Sequence, residues 1–132
     1  MTTIEAIDDL DAAGKIVWRN SRYDAVYATD LPHLEELLDA GYVPVLHLGQ
    51  PEGIDALTRS APSITWILVE LWCPRDVAVE RIVARATGDT EARIAAYDQT
   101  KRLATADIRL LTNEKSPRDC AEKIHSYVRD RL

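Results

Sequence analysis

The stretch Ile64-Thr65-Trp66-Ile67-Leu68-Val69-Glu70-Leu71 constrains this chain more than any other feature. It is the strongest strand signal in the sequence, and its near-continuous apolar character suits a strand buried on both faces. A second compact apolar run, Val43-Pro44-Val45-Leu46-His47-Leu48, has the same character and is broken by Gly49-Gln50-Pro51-Glu52-Gly53. A strand covered on both faces needs helices above and below it, so the segments between the runs should be helical.

They read that way. Thr2-Thr3-Ile4-Glu5 has the form of a helix N-cap, with Ile4, Ile7 and Leu10 at helical spacing and Gly14 as the stop. Ile16 to Asn20 and Arg22 to Tyr27 read as short strands joined by a turn. Thr29 or Asp30 caps a helix through Leu38 that ends at Gly41. A short helix covers Ile54 to Arg59. Pro74 starts a helix over Arg75 to Arg85, and Thr87-Gly88-Asp89 turns the chain into another helix from Glu91 to about Leu103. Ile108 to Thr112 is the last strand, and Ser116-Pro117-Arg118-Asp119 opens a final helix with proline at a permitted early position. Helices alternating with apolar strands predict an α/β domain with a mainly parallel sheet flanked by helices.

Composition excludes several classes of function. A net charge of -6 without a basic stripe argues against non-specific nucleic-acid binding, though a few local arginines suffice for a small anion. No apolar run reaches the roughly 20 residues that span a membrane. The acids of MTTIEAIDDL stand where a signal peptide has bases, so the expected compartment is cytoplasmic. Cys73 and Cys120 have no metal-ligand spacing and read as free thiols in a reducing environment, while His33, His47 and His125 are scattered among unrelated segments. No metal site is expected.

Several phrases carry a resemblance. Tyr27-Ala28-Thr29 is similar to a tyrosine–glycine–threonine step that follows a strand. The helix from Leu31 to Ala40, Gly41 and the run Pro44 to Leu48 follow it in order. Arg81-Ile82-Val83-Ala84-Arg85 and then Arg93 resemble an arginine-rich lid, and Leu110-Leu111-Thr112-Asn113 resembles a strand ending in Asn beside an adenine. Together these resemble guanylate kinase from Ile16 onward, over nearly the whole chain. The resemblance implies a P-loop kinase-like fold in one domain over residues 1–132. About 1–42 would form a small acceptor-binding β segment, and 43–132 the core, lid and C-terminal helix. It further implies that Tyr27 and Thr29 hold the acceptor, with Tyr23, Arg22 and Trp18 nearby. Arg85, Arg93 and Arg81 would neutralise the transferring phosphoryl group, and Asn113 would read the adenine edge.

Each residue also has a plainer reading. Tyr27 can pack its ring, Thr29 can cap a helix, and Trp18 and His47 can be packing residues. The arginines can lie on a solvated helix surface with Glu80 and Glu91, and Asn113 can serve a turn.

The departures from the family are specific. Its guanine-reading acids fall near Trp18 and near His47 or Gly49, where this chain has no acid. The end Leu46-His47-Leu48-Gly49 also resembles the ribose-bisphosphate kinase branch. The five glycines, 14, 41, 49, 53 and 88, give no GxxxxGK[ST] pattern. The family's first strand and phosphate loop would therefore lie before Met1.

The complete enzyme is expected to use ATP and Mg²⁺ on a small phosphorylated acceptor, a nucleoside monophosphate or phosphosugar, while this chain alone binds neither tightly and is inactive. The alternative is a catalytically inactive binding module for a phosphorylated ligand or protein. The strands flanking the absent one, Pro44–Leu48 and Ile64–Leu71, are expected to close directly on each other, to take a second copy into the gap by self-association, or to leave a loosely packed, aggregation-prone fragment with exposed edges.

Overall fold

A computed structural model describes residues 2–22 and 25–131, with the backbone alone at Arg22. Among these residues the chain is α/β, with six α-helices, one antiparallel strand pair and one parallel pair. It divides into two compact units, Met1–Ile64 and Thr65–Leu132. No helix among the described residues is long and apolar enough to cross a membrane.

The first unit starts with α1 (Ile4–Ala12), capped by Thr3, whose hydroxyl accepts from the Ala6 N–H at 3.2 Å. The hydroxyl satisfies one of the orphan donors at the helix start. Gly14 takes φ +69 at the turn that follows, a conformation that costs a residue without Cβ nothing. β1 (Ile16–Arg22) and β2 (Ala25–Asp30) form an antiparallel hairpin with a register shift between Ile16 and Trp18. β2 runs directly into α2 (Leu31–Asp39), which places Asp30 at the N-cap with proline in the first turn. α3 (Pro51–Ser60) packs against β1. Buried side chains of this unit are Ile7, Leu34, Leu57 and Ala61.

The second unit is built on β3 (Val69–Trp72) and β4 (Ile108–Leu111), which are parallel, with Val69 opposite Ile108 and Leu71 opposite Leu110. Between them the chain forms α4 (Arg75–Arg85) and α5 (Thr90–Gln99). α6 (Pro117–Arg129) follows β4 and opens with a capping box, in which Ser116 Oγ accepts from the Asp119 N–H and the Asp119 carboxylate accepts from the Ser116 N–H. Ile108, Leu110 and Cys120 form the core of this unit, with Val69, Ile124 and Tyr127 packed around them. α6 thus covers the strand face that carries Val69, Ile108 and Leu110.

Four expectations from the sequence are corrected. The run Pro44–Leu48 forms no strand, and Val45 is 78% exposed. Proline has no N–H to give a ladder, and an apolar run becomes a strand only when an edge is there to pair with it. The strand expected over Ile64–Leu71 is limited to Val69–Trp72. The mainly parallel sheet is instead two separate two-stranded pairs, so β3 and β4 each keep one edge without a ladder partner among the described residues. The helix expected to reach Leu103 stops at Gln99, because Arg102 and the Leu103 N–H are drawn to Glu70.

Candidate functional site

The hairpin of the first unit gathers three of the five expected acceptor residues. In its register Trp18 stands opposite Thr29, and Asn20 opposite Tyr27. Directly opposed residues share a face, and so do residues two apart along a strand, so Trp18, Asn20, Tyr27 and Thr29 line one face of the hairpin. Tyr27 is 56% exposed, while Trp18, Asn20 and Thr29 are half-buried. The phenol, hydroxyl and amide of this row are neutral groups that can donate to anionic oxygens. Arg22 pairs with Ala25 in the same register, but its side chain and all of Tyr23 lie outside the described residues.

Trp18 is held by α3. A Cβ placed on Gly53 would come within 2.9 Å of the indole Cε2 and Nε1, so a glycine is required where the helix crosses the ring. The residue that follows Trp18 serves the other side of β1. Arg19 Nη1 lies 2.7 Å from Asp8 and 3.3 Å from Asp11 of α1, and the hydrogen bond to Asp8, then that to Asp11, raises its pKa. Asp30, at the start of α2, has a buried Oδ1 without a hydrogen-bond partner among the described residues.

The expected lid arginines lie in the second unit and have three different fates. Arg81 donates from Nη1 to Thr112 Oγ1 at 2.9 Å and from Nη2 to the Thr112 carbonyl at 2.7 Å. Arg93 donates from Nε to Asp89 at 2.7 Å, one helical turn away. Asp89 also accepts from the Thr87 hydroxyl, and the Arg93 bond, then the Thr87 bond, lowers its pKa. Arg85 is exposed and makes no hydrogen bond or ion pair among the described residues. Asn113 is exposed in the turn after β4, and His47 is exposed in the segment without regular structure. Cys73 is half-buried and Cys120 buried, both free thiols.

A cluster that the sequence reading missed sits on the other face of the parallel pair. Glu70 is 8% exposed and accepts from Arg102 Nε at 3.0 Å, Arg102 Nη2 at 2.7 Å, the Leu103 N–H at 2.8 Å and Arg109 Nη1 at 2.5 Å. The Arg102 bonds lead in pulling its pKa from the ordinary 4.5 to about 2, against the opposing effect of burial. The Arg102 guanidinium also lies over the Trp72 ring, 4.4 Å from its centroid. Arg109 Nη2 donates to the Leu103 and Ala104 carbonyls. The signal was present: a lone acid inside an apolar strand must find cationic partners or stay uncharged.

Two expected ligands can be tested against these residues. Among the described residues no three His, Cys, Asp or Glu side chains gather where they could hold a metal ion. A triphosphate cradle needs a glycine-rich turn that leaves a strand and opens a helix. Gly14 and Gly41 instead end helices, and Gly88 links α4 to α5. Gly49 follows no strand and Gly53 lies inside α3, so no described glycine stands in a turn that leaves a strand and opens a helix.

No protein-family model matches this chain, and no curated protein matches it.

Proposed function

We propose that this chain is the acceptor-site, lid and C-terminal portion of a guanylate-kinase-like phosphotransferase, whose triphosphate cradle is supplied by a segment outside these residues. The observation that carries the proposal is the hairpin row, where Tyr27 and Thr29 share a face and the Tyr27 phenol is open to solvent. Two hydroxyls on one face suit the bonding of an acceptor phosphate, and among the described residues the row carries no carboxylate to read guanine or repel an anion. Within the second unit, Arg85 is exposed and makes no hydrogen bond or ion pair among the described residues, so of the three expected lid arginines its guanidinium is the one open to an anion. The acceptor is a small phosphorylated molecule other than GMP, a phosphosugar or another nucleoside monophosphate.

A thermal-shift panel of nucleoside monophosphates and phosphosugars tests this, on the chain and on a version extended by its upstream reading frame. Stabilisation by one class, abolished in Tyr27→Phe, supports the proposal. No shift by any phosphorylated compound in either protein refutes it.

A second reading has its own support. Arg81 and Arg93 are both bonded within the protein, which leaves fewer cations than phosphoryl transfer uses. A binding module for a phosphorylated ligand needs only the hairpin row. An extended chain that binds the ligand yet transfers no phosphate from ATP would select it.

A further inference from the structure

Arg81 and Arg85 stand four residues apart on α4 and read from sequence as two arginines of one kind. The structure separates them. Both terminal nitrogens of Arg81 are spent on Thr112, one on the hydroxyl and one on the carbonyl. Thr112 is the first residue beyond β4, and its own N–H donates to the Trp72 carbonyl at 2.7 Å. Its backbone and side chain are therefore held from two sides, by the end of β3 and by α4. On the far side of Asn113, the Glu114 N–H donates to the Leu111 carbonyl at 3.1 Å and closes the turn. Asn113 thus lies in a turn whose entry is fixed by three hydrogen bonds and whose exit is fixed by one.

The frame around Arg81 is tied as well. Arg75, at the start of α4, grips Asp98 of α5 with Nε at 2.7 Å and Nη2 at 2.9 Å. Tyr97, beside Asp98, donates its hydroxyl to the Cys73 carbonyl at 2.7 Å, just past β3. α4 and α5 are thereby anchored to the carboxyl end of β3, and Arg81 carries the same anchorage to the carboxyl end of β4.

We propose that Arg81 is a positioning residue: its guanidinium fork ties α4 to the end of β4 and sets the turn that presents Asn113. Its consequence for ligands rests on the proposed guanylate-kinase-like function, whose resemblance implies that Asn113 reads an adenine edge, but the tie itself does not. A ligand arginine would have to abandon both Thr112 bonds, whereas Arg85 gives up none. The planar fork matters, because a lysine is a single point charge and cannot hold the hydroxyl and the carbonyl in one fixed geometry.

The test is amide NMR and hydrogen exchange on the full chain, comparing wild type with Arg81→Lys, Arg81→Met and the gentler Thr112→Val. Arg81→Lys and Arg81→Met should both move the Thr112, Asn113 and Glu114 resonances and speed Glu114 exchange several-fold, with a smaller effect for Thr112→Val. Unchanged resonances in Arg81→Met, or a wild-type spectrum in Arg81→Lys, overturn the proposal. Adenosine is then titrated into each protein. Shifts centred on Asn113 that weaken in both Arg81 variants support the positioning role, and equal adenosine affinity in wild type and Arg81→Met overturns it. If adenosine leaves Asn113 untouched in wild type while the variants still disturb residues 112–114, the nucleotide reading of Asn113 fails and the tie stands.

Discussion

Replacing Glu70 with glutamine should remove most of the acid sensitivity of the second unit. The carboxylate is 8% exposed and accepts from two guanidiniums and one backbone N–H, with its pKa drawn from 4.5 to about 2. A depression of that size corresponds to roughly 3 kcal/mol of preference for the charged form in the folded state. The Arg102 and Arg109 side chains remain 45% and 40% exposed, so water screens the pairs and the realised contribution should be about 1–2 kcal/mol. The sign follows from the lowered pKa. The stabilisation is fully present above the unfolded-state value near 4.5 and disappears as pH falls through 4.5 toward 2. Asp89, Asp98 and Asp119 also have lowered pKa values, but they are common to both proteins and cancel in the difference. Urea unfolding at steps from pH 7 to pH 2 measures this. Glu70→Gln should be less stable than wild type at pH 7, and the gap should close as the pH falls below 4.5. Parallel stability profiles for the two proteins would refute the reasoning.

Four further outcomes are expected. Gly53→Ala should destabilise the first unit, because overpacking against the Trp18 indole costs about 1–3 kcal/mol and outweighs the roughly 1 kcal/mol of helix propensity that alanine gains; near-UV circular dichroism and a melting curve check it. Ala86→Gly should raise stability by about 0.5–1 kcal/mol, since Ala86 closes α4 at φ 49 and ψ 40, where only glycine is unstrained; a gain absent from the melting curve would count against it. Tyr27→Phe should weaken any bound phosphorylated ligand by about 0.5–1.5 kcal/mol while the melting temperature stays close to wild type, as calorimetry and a thermal scan would register. The chain itself should transfer no phosphate from ATP, and measurable ATP-dependent phosphorylation by the pure protein would contradict the absence of a phosphate cradle.

Helices were legible here because their signals are local. Thr3, Ser116 and Pro117 stand where a helix start needs them, and the bounds Arg75–Arg85 follow from Pro74 and the Thr87-Gly88-Asp89 turn. The hairpin of the first unit was legible for the same reason, although its register was not. That register is what places Trp18, Asn20, Tyr27 and Thr29 together, and Asn20 was overlooked because its role depends on the residue across from it. Strand extent was the least legible feature. Leu46 and Val45 carry the apolar signal of a buried strand, yet a strand exists only in its partner's hydrogen bonds, and none reaches them.

The arginines show most clearly where sequence stops. Spacing alone makes Arg81 and Arg85 equivalent on one helix face and puts Arg93 past the turn as a third lid arginine. Their difference is set by what lies across from each, namely the Thr112 carbonyl just past β4, open solvent, and the carboxylate at the start of α5. The Thr112 carbonyl, one residue past β4, lies in the turn without a ladder partner, so a guanidinium within reach is drawn there regardless of any ligand. An acid at the N-cap draws Arg93 in the same way, since the i,i+4 spacing brings the two side chains together on one helix face. Arg85 makes no hydrogen bond or ion pair among the described residues. The cation most available to an external anion is therefore the one that the protein's own acceptors leave unused, and Arg85→Ala should weaken binding of a phosphorylated ligand more than Arg93→Ala does, with isothermal calorimetry on both variants deciding. A larger loss from Arg93→Ala would mean that the ligand outcompetes Asp89, and would return Arg93 to the site.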